Sequence, residues 1–292
     1  MSDLRQSNRR AWDEWSDDFQ AIWRSDTDEG ELPPAPSPFA EDAPGGPQPQ
    51  ILESVEGKSY VELGCGGGQG SVGTAELGAD PVVGVDFSGE QLRYARQLRD
   101  EYGVDESHRL SSAIEGLRPS GNRKPTASGD NQNASRSGDV DARFVQGDVT
   151  DLPLPDDRFD VASSEAAFQM VEDVDRAFAE AHRVLREGGV FVFSVMHPLN
   201  EALDPETGTL AESYVDPGPR EIVIDENYEE TLTVFDRTVA DLHNGLVDAG
   251  FEVRRLLEHH NHEVEHNDPE ESDKPDVLWK VPQSVRFWAI AR

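Results

Sequence analysis

The sequence predicts an α/β protein built on a parallel, doubly wound sheet. Three observations carry that expectation. From Ser59 onward, short apolar runs alternate with segments of helical period, as in successive βαβ units whose sheet is covered on both faces. The first apolar run leads straight into a glycine cluster that opens a helix. The chain has 292 residues, enough to bury a sizeable core in one large domain or two small ones.

The elements follow in order. Asn8 to Phe19 reads as a short helix, with Trp12, Trp15 and Phe19 on one face at i, i+3 and i+7. That stripe either packs on the main body or forms a lid over a ligand. Residues 26–50, rich in Pro and acidic residues, read as an extended linker. Ser59 to Leu63 is the first strand. A helix follows through Ala75 and Leu77 and is stopped by Gly78. Pro81 to Asp86 is the second strand. Ser88, with Gln91 three residues later, forms a capping box for the next helix. Ala142–Val145 and Phe159–Ser163 are the third and fourth strands. The amphipathic stretch from Val174 to Leu185 is closed by Gly188-Gly189. Val190–Val195 is the fifth strand. Asp236 is placed to cap a helix through Leu242 and Leu246, which Gly250 stops before a sixth strand, Phe251–Leu257. Ser284–Ala291 is the last strand. No helical pattern separates the last two strands, so the final one can enter antiparallel to the rest.

Two insertions interrupt this rhythm. Pro119–Asp139, rich in Gly, Ser, Asn and Asp, reads as a disordered surface loop. Residues 197–235 follow the carboxyl end of the fifth strand, on the side where open α/β sheets bind ligands, and are the expected seat of substrate specificity. The organisation is therefore an aromatic helix and acidic linker over 1–50, then the main domain over 51–292.

There are 59 acidic residues against 26 Lys and Arg, a formal net charge of -33, and only Lys58, Lys124, Lys274 and Lys280 are lysines. Phosphates are held by Lys and Arg, so this composition argues against nucleic acid as a partner. It does not suit an anionic membrane either, and no apolar run approaches the ~20 residues of a membrane span. Such charge with 36% hydrophobic residues reads as disorder or as a protein folded in concentrated salt, where a Debye length of about 3 Å at 1 M removes most self-repulsion. Regular strands favour the second reading, a halophile's enzyme. Cys65 is the single cysteine. It cannot close an internal disulfide, which fits a reducing cytoplasm, and no N-terminal apolar segment reads as a signal peptide.

The strongest chemical signal is Val61-Glu62-Leu63-Gly64-Cys65-Gly66-Gly67-Gly68-Gln69-Gly70. Glycines allow a tight turn and let a ligand approach the backbone without meeting a Cβ. The helix N-terminus offers N–H groups to a carboxylate or phosphate. Asp86, twenty residues past Gly66 at the end of the second strand, can accept hydrogen bonds from both hydroxyls of a ribose. The plain alternative is a structural turn with a capping Asp. The nicotinamide fingerprint GxGxxG fails from Gly64, because Gln69 stands sixth; a frame of Gly68, Gly70 and Gly73 matches but begins beyond the strand end.

The loop instead reads E-x-G-x-G-x-G through Glu62, Gly64, Gly66 and Gly68. With Val83-Gly84-Val85-Asp86-Phe87-Ser88, Gln146-Gly147-Asp148-Val149-Thr150-Asp151-Leu152-Pro153, Phe159-Asp160-Val161 and Arg183-Val184-Leu185-Arg186-Glu187-Gly188-Gly189, it resembles the class I S-adenosylmethionine-dependent methyltransferases. The likeness is greatest to the small-molecule (type 11) group that includes the ubiquinone and menaquinone biosynthesis methyltransferases. It covers about residues 57–198 and is diffuse beyond. It implies a Rossmann-like, doubly wound sheet of seven strands in the order 3-2-1-4-5-7-6, with strand 7 antiparallel. It implies S-adenosyl-L-methionine as cofactor. Gly64, Gly66 and Gly68 would line its methionine part, together with Glu62, the backbone of Cys65, and Ser164. Asp86 would hold the ribose, Asp148 and the Val149 amide the adenine, and Phe87 would pack on the adenine.

Methyl transfer is an in-line displacement, so the protein's task is to hold a nucleophile near the methyl. The acceptor is expected beyond the ends of strands 4 and 5, among Ser164, Glu165, Phe168, Gln169 and His197. His197 can act as a base or simply bond a loop carbonyl. Glu165 can deprotonate or orient an acceptor. The fourth strand lacks the Asn/Asp-Pro-Pro-Tyr run that resembles amino-group methylases of DNA. His259, His260, His262 and His266 share an acidic stretch. Without helical periodicity there, a solvated loop rather than a metal site is expected. The expected activity is methyl transfer to a small molecule. A nicotinamide-dependent oxidoreductase and a non-catalytic cofactor-binding module stand as alternatives.

Overall fold

The computed structural model describes residues 3–25, 36–43, 45–102, 142–223, 228–259 and 275–292. The expected loop at 119–139 and His260, His262 and His266 lie outside the described residues. In chain order the strands are β1 (Tyr60–Leu63), β2 (Val82–Asp86), β3 (Ala142–Gln146), β4 (Phe159–Glu165), β5 (Leu185–Met196), β6 (Pro219–Ile222), β7 (Leu232–Phe235), β8 (Phe251–His259) and β9 (Ser284–Ala291). The helices are α1 (Asp3–Arg24), α2 (Gln69–Glu76), α3 (Gly89–Glu101), α4 (Val174–Val184), α5 (Pro198–Glu201) and α6 (Val239–Asp248), with a 3₁₀ turn at Phe168–Met170.

One seven-stranded sheet has the order β3-β2-β1-β4-β5-β9-β8, and β6 and β7 form a separate antiparallel pair. β1 to β5 pair in parallel, while β9 runs antiparallel to both β5 and β8. Counting β8 and β9 as the sixth and seventh strands, this is the order 3-2-1-4-5-7-6 with an antiparallel seventh. β9 sits between two strands, with Phe287 stacked on Phe193 of β5 at 4.8 Å.

Two core layers sandwich the sheet. On one face α2 and α3 bring Val72, Leu92, Ala95 and Leu98 onto Tyr60, Val82 and Val161. On the other α4 and α6 bring Val174, Phe178, Ala181, Leu242 and Leu246 onto Val61, Leu63, Phe191 and Phe193. Side chains alternate across a strand, and Glu62 lies beside Ser163 in register. Glu62, Ser163 and Glu165 therefore share the first face, and Ser164 points to the second.

Several boundaries differ from the sequence expectation. α1 spans 22 residues rather than a short stretch, because its polar side chains bond α3 and the β6–β7 pair along its whole length. The linker is not all extended: Ser37 and Phe39 are buried, and the Phe39 ring packs edge-on against Tyr60 and Trp288. Gly188-Gly189 does not end α4. The helix stops at Leu185, and the glycines lie in β5, where four residues are accommodated between the pairs Phe159–Leu185 and Val161–Val190. Gly188 has φ +79°, which suits this bulge. Thr238, not Asp236, caps α6 through a full capping box with Asp241; Asp236 instead pairs with Arg220 at 3.0 Å. Ser88 does cap α3 by accepting from the Gln91 N–H, but the Gln91 side chain is turned elsewhere.

Candidate functional site

The glycine loop leaves β1 at the carboxyl end of the sheet. Gly64, Gly66 and Gly68 have φ of +75°, +50° and +80°, a region that favours glycine. Space is limiting too: a Cβ on Gly64 would strike Ala167, and one on Gly68 would lie 2.8 Å from Ala95 and Phe144. The N–H groups of Gly64 and Cys65 both bond Val85 O at the end of β2. Gly66 N donates to Asp86 Oδ2 at 2.9 Å, and Ser88 N to Asp86 Oδ1 at 2.8 Å. Asp86 thus ties the loop to the second strand and keeps spare acceptor capacity on both oxygens. It is buried, and desolvation pushes its carboxyl up to about 6 against the backbone N–H bonds that favour the charged form. Cys65 is buried and its thiol is pushed well up by desolvation, so it offers backbone rather than reactivity.

Glu62 lies beneath the loop. Its Oε2 accepts from Ser71 Oγ at 2.5 Å, and its Oε1 occupies the space a Cβ on Gly70 would need. Desolvation, and then the nearby charges of Glu165 and Asp86, push its carboxyl up to about 8. Glu62 therefore anchors the start of α2 rather than standing open to a ligand.

At the end of β3, Asp148 Oδ1 accepts from the N–H and hydroxyl of Thr150 at 2.9 and 2.8 Å. Its Oδ2 accepts from Arg5 of α1 at 2.5 Å. Val149 and Phe87 are half-buried beside it. At the end of β4, Glu165 Oε2 accepts from Ser194 Oγ and from Arg286 Nη2, both at 2.7 Å, which leaves Oε1 buried and without a partner. Ser164 Oγ is likewise buried and without a partner.

α1 lies over this constellation. The Gln20 amide fills the space above Gly67, where a Cβ would collide with it. Asp13 Oδ1 accepts from Ser88 Oγ at 2.6 Å. Trp12, Trp15 and Phe19 pack on one another with centroids 4.9–5.5 Å apart, half-buried. Trp12 Nε1 reaches Met170 Sδ at 3.0 Å. The stripe is thus packed against the turn after β4, at the edge of the site.

Two expectations, for His197 and Phe168, are corrected here. His197 is buried, its Nδ1 accepts from Leu199 N at 3.1 Å to cap α5, and its Nε2 faces Glu258 Oε1 at 3.0 Å. With both ring nitrogens engaged it is a structural cap, not a placed base. Phe168 is buried among Phe178, Phe191 and Phe193 and belongs to the core rather than to an acceptor wall. Glu165 is held by Ser194 and Arg286 through Oε2, and its Oε1 has no partner. Gln169 turns to Met196 N at 3.1 Å. Among the described residues no group of His, Cys, Asp and Glu is set to hold a metal ion. None of the described helices is long and apolar enough to cross a membrane.

Sequence reasoning passed over Gln20, Gln91, Ser71 and Arg286. The signal for Gln91 was an amide on the buried stripe of α3, between Leu92 and Ser88. Arg286 offered a charge inside an otherwise apolar final strand.

The donor set fits S-adenosylmethionine. The glycine backbone and the Asp86 carboxylate meet at the carboxyl end of the sheet, and orphaned polar atoms of Gln91 and Glu165 lie on the sheet face that α3 covers. The carboxylates of Asp86 and Glu165 there suit a ligand that carries a sulfonium and an ammonium. The nicotinamide frame from Gly68 is out of place, since it begins five residues past the end of β1 at Leu63 rather than directly after the strand.

Comparison with known proteins agrees. Residues 116–193 match the methyltransferase domain family. The chain is 37% identical over 82 residues to 2-methoxy-6-polyprenyl-1,4-benzoquinol methylase of Rattus norvegicus, spanning 28% of this chain and 25% of that protein's length. Its fold is similar to an S-adenosylmethionine dependent methyltransferase from Mesorhizobium loti, with TM-score 0.53, 24% identity, and coverage of 82% of this chain and 94% of that one. It is also similar to a chain from the complex between the Haloferax volcanii Trm112 methyltransferase activator and a candidate methyltransferase, with TM-score 0.57, 17% identity and 97% of each chain covered. In sheet order the chain is thus similar to solved S-adenosylmethionine dependent methyltransferases, and residues 116–193 match a methyltransferase domain.

Proposed function

We propose that this chain transfers a methyl group from S-adenosylmethionine to a small-molecule acceptor. The observation that carries this is the glycine loop closed onto Asp86, with unpartnered polar atoms of Gln91 and Glu165 on the same face of the sheet. When bound, the cofactor supplies an electrophilic methyl and a neutral thioether leaving group. The glycine loop receives the methionine part, Asp86 the ribose hydroxyls, and Asp148 with the Val149 N–H the adenine. Glu165 Oε1 is suited to the ammonium, held in place by Arg286 and Ser194.

The acceptor would enter beyond β4 and β5, bordered by Trp12, Met170 and residues 197–235. His197 and Glu165 are both committed to other partners, so the geometry favours catalysis by approximation and alignment, which can supply ~7–11 kcal/mol. An acceptor that carries an acidic proton can lose it to solvent. The acidic surface argues against nucleic acid as acceptor, and the cytoplasm is the compartment this reading assigns.

Calorimetry in molar KCl tests it. S-adenosylmethionine and S-adenosylhomocysteine should bind the wild-type chain, and Asp86→Ala should weaken both by about tenfold or more, the loss of charged hydrogen bonds. Binding of NAD alone, or of none of the three, would overturn the assignment. Transfer of labelled methyl to a panel of acceptors then separates an enzyme from a module that only binds.

A further inference from the structure

Three glutamines from three helices meet over the glycine loop. Gln69 Nε2, at the start of α2, donates to Gln20 Oε1 of α1 at 2.8 Å. Gln20 Nε2 donates to Gln91 Oε1 of α3 at 3.1 Å. Gln20 and Gln91 are 2% and 1% exposed. The chain of amides ends at Gln91 Nε2, which is buried and has no hydrogen-bond partner. A buried amide donor left unmade is costly, and native structures rarely keep one without a reason.

The place where it ends supplies a reason. A Cβ on Gly66 would lie 3.7 Å from Gln91 Oε1, the other branch of the same amide, and Gly66 N is the group that bonds Asp86 Oδ2. The amide that carries the free donor therefore borders the loop residue bonded to the carboxylate assigned to the ribose, and the backbone N–H of Gln91 bonds Ser88, whose own N–H bonds that carboxylate. A hydroxyl both donates and accepts. One that donates to Asp86 still has lone pairs, and an amide N–H next to that carboxylate is the complement it needs. We propose that Gln91 is a cofactor-binding residue that donates to the ribose hydroxyls held by Asp86, and that Gln20 couples this contact to the seating of α1. This rests on the S-adenosylmethionine reading above and adds to it a second ribose contact and a link to the covering helix. Gln20 itself acts as a positioning residue. It holds the Gln91 amide with Oε1 toward α1 and Nε2 toward the ligand, so ligand binding and α1 docking reinforce one another. Such coupling is reciprocal.

The test uses the full chain in molar KCl with S-adenosylhomocysteine as probe. Gln91→Glu keeps an acceptor for Gln20 but puts an oxygen where the donor was. It should weaken binding by about tenfold while amide exchange of α1 in the free protein stays at the wild-type level. Gln20→Leu should speed α1 exchange and weaken binding by a few-fold, although it leaves Gln91 in place. In the wild-type chain the probe should slow exchange in α1. Wild-type affinity in Gln91→Glu, or α1 exchange that ignores the probe, would overturn the proposal and leave the cofactor assignment standing. Failure of the wild-type chain to bind at all would instead remove the assignment, and the proposal with it.

Discussion

Glu62 shows how a single residue can look like a ligand contact and serve as a buried brace. Its carboxyl is raised to about 8 from an ordinary 4.5, chiefly by burial. Between those values the folded chain holds a proton that the unfolded chain has released. Stability therefore falls as pH rises from about 4.5 through about 8. Asp86, raised to about 6 from 3.8, adds a slope of the same sign at lower pH. Glu62→Gln, which can still accept from Ser71, should flatten the upper part of that dependence. Denaturation at fixed salt across about pH 5 to 9 reads it directly, and an unchanged slope above pH 6 would show that Glu62 is not the group that titrates. His197 makes the converse point. An imidazole at a strand end invites a catalytic role, but its two nitrogens are already divided between a helix cap and Glu258.

At the scale of elements, α1 and the β6–β7 pair form one cover. Asn8 is 1% exposed, and its amide makes a two-way pair with β7: Thr233 N donates to Oδ1 at 2.7 Å and Nδ2 donates to Thr233 O at 2.8 Å. Glu230 accepts from Ser7 at 2.8 Å and Arg10 at 2.5 Å, and Tyr228 donates to Asp18. These ties join the helix over the glycine loop to the insertion over the acceptor side. Asn8→Ala strands two buried backbone groups and should cost about 1–3 kcal/mol. Hydrogen exchange should rise in β7 and α1 together and stay unchanged in β1, β4 and β5. A rise confined to one of the two would separate them as independent parts.

For the whole molecule, the net charge of -33 is the dominant long-range fact. At low ionic strength the self-repulsion acts across the entire surface, and at molar salt it is screened within about 3 Å. Local ion pairs such as Arg183 with Glu180 and Asp156 involve few of the acidic groups and cannot offset it. The thermal unfolding midpoint should therefore climb steadily as KCl is raised to molar levels. Circular dichroism showing a fully cooperative fold without added salt would contradict the salt-adapted reading.

Strand identity and the position of the glycine loop were legible in the sequence, because they follow from local patterns; the strand order came only through the family resemblance. Apolar runs, capping residues such as Ser88 and glycines such as Gly64 and Gly66 carry their conformational consequences within a few residues. The antiparallel β9 was legible as well, since nothing helical separates it from β8. The fate of individual polar side chains was not. Whether His197 is base or cap, whether Glu165 is free or held by Arg286, and where the Gln91 amide points all depend on contacts between residues far apart in the chain. Gln20 and Gln91 are 71 residues apart, and Glu165 and Arg286 are 121 apart. Burial and hydrogen bonding are properties of the assembled layers, so only the tertiary structure could decide which polar groups were used up in holding the fold and which were left to meet a ligand.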